Sequence, residues 1–236
     1  TGRDKIAICG YHGWHDWYLS ANLNGNESLE DHLIPGLNPL GVPKALRNTV
    51  FPFNYNDINE LKTIIKENPD LAAVKMEVVR SYEPKVGYLE EVRRLCTENN
   101  IVLIFDECTS GFRETFGGVH KKYNVFPDMC MFGKALGNGH AITAIIGKRE
   151  IMECAQDTFI SSTFWTERIG PTAGLATLKE MDKIKSWEII TETGKTIKDN
   201  WSSLATNANI NIEISGMDAL ASFVIKSDEW LKYKTY

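Results

Sequence analysis

The sequence predicts an α/β fold: a large domain on a mostly parallel sheet over residues 1–180, then the start of a smaller α+β domain over 181–236. Three observations predict it. From residue 56 onward, segments of helical periodicity alternate with short strand-like ones. Ile101-Val102-Leu103-Ile104-Phe105 is apolar without interruption, as expected of a strand covered on both faces of a parallel sheet. After a long helical stretch, residues 210–214 and 219–225 read as two strands of a different, smaller unit.

The elements follow in order. Ile6-Ala7-Ile8-Cys9 is strand-like and starts abruptly after Thr1-Gly2-Arg3-Asp4-Lys5, without an initiator Met, so the native polypeptide is expected to continue upstream. Asn56 or Asp57 can cap a helix carrying Ile58, Leu61, Ile64 and Ile65 on one side, and Pro69 stops it. A short strand at 71–76 ends near Glu77. The next helix, 89–98, has Leu89, Val92, Leu95 and Cys96 at core spacing and is closed by Asn99-Asn100. Strands are expected at 101–105, 128–132 and 141–146, with the glycine-containing segment 133–139 between the last two. After Pro171 the chain turns helical for a long stretch.

Composition narrows the function classes. With 236 residues, 43% hydrophobic and 24% charged, the chain can build a full core without metals or disulfides. The net charge of −5 is mild and spread along the sequence. It offers no basic stripe to phosphate backbones or anionic lipid, so nucleic acid and membrane are not expected partners. No apolar run approaches the roughly 20 residues needed to span a bilayer. Five cysteines, without a C-x-x-C pair, read as reduced, buried thiols of a cytoplasmic protein.

Two positions could carry chemistry together. Asp106 directly follows the 101–105 strand, and ligands of open α/β sheets bind beyond the carboxyl ends of strands. Position alone equally allows an acid that caps the next turn. Lys134 again follows an apolar strand, between Gly133 and Gly137; a lone lysine is ordinarily a solvated charge. A Walker loop is excluded, because Gly133-Lys134 lacks the earlier glycine and a following Ser or Thr. His12 and His15 have no second His or Cys cluster to complete a metal site, and their interleaved aromatics suit a stacking platform better, so no metal is expected. Lys148 and Arg149 read as a solvated helix start; Arg113 either orients the loop after Asp106 or pairs with a nearby carboxylate, and the structural reading is preferred.

Four segments carry a family resemblance. Phe105-Asp106-Glu107-Cys108-Thr109-Ser110-Gly111-Phe112-Arg113 resembles the D-E-V-x-x-G-F-R segment of class III aminotransferases. Phe132-Gly133-Lys134-Ala135-Leu136-Gly137-Asn138-Gly139 resembles the segment that carries their lysine. Gly10-Tyr11-His12-Gly13-Trp14-His15-Asp16 looks like the aromatic-His-Gly segment of the glutamate-1-semialdehyde aminomutase branch. Ser162-Thr163-Phe164-Trp165 is similar to the S-T-F/Y stretch whose threonine reaches the cofactor phosphate of the neighbouring subunit. The four occur in family order over most of the chain.

The resemblance implies a fold-type I enzyme of the aspartate aminotransferase-like class, dependent on pyridoxal phosphate and acting on a small amino or oxo substrate. Lys134 would form the Schiff base and shuttle a proton, and Asp106 would keep the ring nitrogen protonated. Tyr11 would stack on one ring face and Cys108 pack on the other, with His12 and Thr109 also at the cofactor. Glu77 matches the glutamate of the family's E-P dipeptide, with Val78 in place of proline, and is a candidate for facing substrate. Thr163 would serve the opposite subunit of a homodimer with a shared active site. The phosphate-cradling loop would precede Thr1, and the substrate-carboxylate arginine would follow Tyr236. Amino transfer between two substrates and 2,1-aminomutase chemistry (an isomerase reaction) stay open together. From another class, a catalytically silent paralogue would keep the fold as a binding or dimerisation module. A nucleotide-binding protein would need a G-x-G-x-x-G turn, which is missing.

Overall fold

The structure is a computed structural model and describes residues 1–13, 15–24, 38–79, 81–163 and 166–227. Its strands and helices run β1 Lys5–Cys9, α1 Asp16–Leu19, β2 Val50–Pro52, α2 Ile58–Glu67, β3 Leu71–Met76, α3 Tyr88–Glu98 and β4 Val102–Asp106. They continue with β5 Met129–Phe132, β6 Ala144–Gly147, α4 Arg149–Met152, α5 Ile169–Ile184, α6 Ser186–Asn207, β7 Ile212–Ser215 and β8 Ser222–Ile225. Six strands form one sheet in the order β2-β1-β3-β4-β5-β6. The first five are parallel, and β6 runs antiparallel to β5.

Local chemistry explains the elements. Asp57 caps α2 by accepting hydrogen bonds from the Asn59 and Glu60 backbone N–H groups. The helix stops at Asn68, since Pro69 cannot continue the ladder. Leu61 of α2 and Leu89, Val92 and Cys96 of α3 pack with Val74, Leu103 and Phe105 of the sheet in one apolar core.

Four expectations need correction. The strand at Val50–Pro52 was missed: it is short, and its proline removes a ladder donor, which confines it to the sheet edge. The strand expected to be covered on both faces is half-buried at Val102 and Ile104, whereas β3 is buried along its whole length. An apolar run reports what can be buried, not which neighbours cover it. The helical stretch after Pro171 begins earlier, at Ile169, because a proline in the first turn costs no intrahelical bond, and it is broken at Lys185 in the left-handed region (φ 53°). Finally, Cys9, Cys96 and Cys130 are buried, but Cys108 is half-buried and Cys154 exposed.

Residue 180 lies within α5, and the antiparallel pair β7-β8 follows α6. The loop between β7 and β8 reaches back to the large sheet. Met217 is fully buried in the same core as Phe53, Val74 and Phe105. Around it, the Gly216 N–H donates to the Ser81 carbonyl at 2.9 Å and the Ala219 N–H to Glu114 Oε1 at 3.2 Å.

Candidate active site

Strand register builds the site. Cys9 of β1 stands beside Met76 of β3, Met76 beside Phe105 of β4, and Phe105 beside Cys130 of β5. These four residues make one row across four parallel strands. The next residues along each strand therefore emerge at the same edge of the sheet: Gly10-Tyr11-His12, Glu77, Asp106, and Gly133-Lys134 just beyond Phe132. Carboxyl ends of parallel strands are where open α/β sheets bind ligands.

Asp106 is buried and held from several sides. Its Oδ2 lies 3.0 Å from His12 Nδ1 and 3.3 Å from Lys75 Nζ, and its Oδ1 accepts from the Cys108 N–H at 3.2 Å. Burial pushes the carboxyl up, but the His12 hydrogen bond, the Lys75 charge and the Cys108 N–H outweigh it and leave Asp106 below the usual carboxylate range. His12 is itself buried, with Nε2 at 3.2 Å from the Cys9 carbonyl.

Lys134 is exposed at the mouth of this edge. Its Nζ donates to Thr109 Oγ1 at 2.5 Å. Its backbone sits in the left-handed region (φ 41°), which a non-glycine residue adopts at a cost and which clusters at functional positions. Gly133 permits the turn to press on the neighbouring loop, since a Cβ there would fall 2.9 Å from Cys108 Sγ. Cys108 lies between the two candidates. Burial raises its thiol; Lys134 and Lys75 pull it back, and Asp106 and Glu77 push it further up. Lys134 also lines a cavity of about 590 Å³ with Arg113, Asn138, Thr177, Glu180 and Met181. Asp106 is not on that cavity's wall. The two are joined through Cys108 and Thr109, consecutive residues that bond Asp106 and Lys134 respectively.

The other predicted residues distribute as follows. Glu77 is buried and its Oε2 accepts from the Tyr11 N–H at 3.1 Å, so it braces the aromatic loop. Gly10 beside it is in the left-handed region (φ 102°), and a Cβ there would fall 2.5 Å from Glu77 Oε2. Tyr11 packs edge-on against Tyr18, whose hydroxyl donates to the Gly10 carbonyl. Thr163 is exposed, and none of the described contacts joins it to Asp106 or Lys134; Phe164 and Trp165 of its motif, like Trp14, lie outside the described residues. Arg113 Nε donates to the Thr109 carbonyl at 3.4 Å. Lys148 pairs with Asp128 and Arg149 with Glu153. Among the described residues, no three His, Cys, Asp or Glu side chains gather to hold a metal.

Two residues escaped the sequence reading. Lys75 had a signal: it is the one charge inside an otherwise apolar strand, Leu71-Ala72-Ala73-Val74-Lys75-Met76. Glu107 stands at the glutamate of the D-E-V-x-x-G-F-R segment, a match that gave it no role. Its fully buried carboxylate accepts from Ser110 Oγ at 2.5 Å and from the Val119 and His120 N–H groups at 3.0 Å, and it meets His120 Nδ1 at 2.8 Å.

A sheet of this topology with a carboxylate and an amine at adjoining strand ends has the transaminase fold. The structure superposes on an omega-transaminase from Sphaerobacter thermophilus with a TM-score of 0.80, at 24% identity, covering 95% of this chain and 54% of that one. An ornithine aminotransferase from Toxoplasma gondii ME49 gives 0.78 at 22% identity, covering 97% and 53%. The family model Aminotransferase class-III matches residues 1–234, and the chain belongs to that family. The chain is 33% identical to the 3-aminobutyryl-CoA aminotransferase of Cloacimonas acidaminovorans over 242 residues, 99% of this chain and 54% of that protein. It is 34% identical to the glutamate-1-semialdehyde 2,1-aminomutase of Methanocaldococcus jannaschii over 244 residues, 99% and 56%. The chain thus spans about half the length of the curated relatives it matches. The class III resemblance and the fold-type I α/β architecture expected from the motifs both hold.

Proposed function

We propose that this chain carries the cofactor-binding part of a pyridoxal-phosphate-dependent enzyme that moves an amino group on a small amino or oxo substrate. The observation that carries it is the pairing of Asp106 and Lys134 at the ends of neighbouring strands β4 and β5, bridged by Cys108 and Thr109. The donor set fits the cofactor: an accessible primary amine, and a buried carboxylate held ionised by its surroundings. When bound, pyridoxal phosphate supplies a carbonyl for the amine and a cationic ring that accepts electrons from the substrate carbon. Asp106 holds the proton at the ring nitrogen, a task for a carboxylate that stays charged. Lys134, whose one hydrogen bond among the described residues is to Thr109 Oγ1, moves a proton to and from the substrate carbon. Tyr11 and Cys108 take the two ring faces, with His12 behind Asp106 and Glu77 bracing Tyr11 near the substrate.

The reading extends to a homodimer. The exposed position of Thr163, apart from Asp106 and Lys134, suits a residue that serves the partner's cofactor. Among the described residues no helix is long and apolar enough to cross a membrane; a cytoplasmic enzyme with a larger domain to about residue 180 is the arrangement we infer.

The test uses the intact protein with pyridoxal phosphate. Borohydride should fix the cofactor to Lys134, and Lys134→Ala should abolish both fixation and colour. A protein that ignores added cofactor would overturn the proposal in favour of a silent binding module. Because the relatives include both an aminotransferase and aminomutases, substrate supplied without a second amino donor or acceptor separates them: only a mutase turns over continuously.

A further inference from the structure

Lys75 belongs to a strand that is otherwise apolar and is buried along its whole length. A buried ammonium without a partner would cost several kcal/mol, so its surroundings carry information. Register places Lys75 beside Ile8 on β1 and Ile104 on β4. Side chains alternate along a strand, so Lys75 leaves the sheet on the face of Ile104 and, two residues further, of Asp106. A long side chain reaches such a diagonal neighbour. Lys75 Nζ ends 3.3 Å from Asp106 Oδ2, with both side chains only 10% exposed. The same ammonium lies 5.8 Å from the centre of the Trp17 ring, an aromatic face that favours a cation.

An ionised carboxylate offers about four acceptor directions. His12 and Lys75 occupy two at Oδ2, and the Cys108 N–H occupies a third at Oδ1. We propose that Lys75 is a positioning residue of the cofactor site: with His12 and the Cys108 N–H, its ammonium fixes the Asp106 carboxylate so that one acceptor direction remains, for the ring nitrogen of pyridoxal phosphate. This deepens the function proposed above and rests on Asp106 being that nitrogen's partner. The charged and titratable groups at this point come from every strand end around it: His12 after β1, Lys75 and Glu77 on and after β3, the Cys108 thiol after β4, and Lys134 after β5. Of these, His12 and Lys75 are the side chains that oppose the upward push of burial on Asp106.

Lys75→Met keeps the length and removes the charge. In cofactor-free protein the Asp106 carboxyl is titrated by carbon-13 NMR with labelled aspartate, its resonance identified as the one missing in Asp106→Asn. The midpoint should rise by about one pH unit or more in Lys75→Met, as expected when a cation within reach of a carboxylate is lost, and should return in Lys75→Arg. An unchanged midpoint overturns the proposal, whatever happens to cofactor affinity. Should Lys75→Met fail to fold, Lys75→Gln carries the same expectation and the same refutation. In a second arm, the dissociation constant of pyridoxal phosphate is followed against pH by fluorescence quenching. The acid limb of binding should move with the Asp106 midpoint, leaving Lys75→Met about tenfold weaker there. If the carboxyl midpoint moves and the binding limb does not, Lys75 controls Asp106 but Asp106 does not meet the ring nitrogen, and it is the underlying functional reading that fails.

Discussion

The Asp106 and Lys134 ends of the site are built in opposite ways. Asp106 is 8% exposed and gripped by His12, Lys75 and the Cys108 N–H. Lys134 is exposed, holds Thr109 Oγ1 by one side-chain hydrogen bond, and sits on a turn in an uncommon backbone region. The contrast matches the two tasks proposed. A group that stabilises a charge gains from being fixed before the ligand arrives; a group that must bond, release and carry a proton gains from freedom.

That contrast can be broken at either end. The largest effect is expected from Lys134→Ala, which should remove borohydride-stable attachment altogether and lower turnover on the order of 10²- to 10⁴-fold through lost proton transfer. Mass spectrometry of the reduced protein and steady-state rates would check this; attachment at another lysine would refute the assignment.

Asp106→Asn attacks the fixed end. The proton affinity of the bound ring nitrogen should fall by about one to three pH units, read from the absorbance of the bound cofactor against pH. The same variant has a signature in stability. Because the folded carboxyl sits below its unfolded value of about 3.9, ionised Asp106 contributes stability above that pH and loses it as pH falls through the folded value. Acid unfolding of Asp106→Asn should lack that part of the pH slope. A slope equal to the parent's would show that the grip on Asp106 contributes nothing to the fold.

Glu107→Gln should sharpen the comparison by weakening the frame and sparing the site. It swaps a carboxylate that receives bonds from Ser110, Val119 and His120 for an amide and should cost about 2 kcal/mol in urea unfolding, with cofactor fixation at Lys134 retained. The smallest effect belongs to the loose end: Thr109→Val removes one acceptor from Lys134 and should change turnover by less than about tenfold, roughly 1 kcal/mol. A larger loss would mean that Lys134 is held more tightly than its exposure indicates.

The sequence singles out both ends, but not the residues that surround them. Following an apolar strand singles out Asp106 and Lys134 without deciding their roles; those come from the resemblance of residues 105–113 and 132–139 to class III aminotransferase segments. The helices at 58–67 and 88–98 were legible from their caps and core spacing. What stayed hidden depends on neighbours distant in the chain. Lys75 is 31 residues from Asp106 and meets it only through the register of β3 with β4. Glu107 gains its meaning from the turn at 118–120. Three-residue β2 carries too little pattern to separate from a loop, and the break at Lys185 rests on a left-handed lysine that no residue preference marks.

Met217 has a consequence for how the molecule can be divided. Although it belongs to the turn between β7 and β8, it sits as a plug in the same buried apolar cluster as Phe53 and Phe105, so part of the large sheet's core is contributed by a segment that follows α6. Trimming the chain before that plug would open a methionine-sized void worth about 2–5 kcal/mol. Exchange of the hairpin between relatives should succeed only when the incoming piece brings a plug of the same shape.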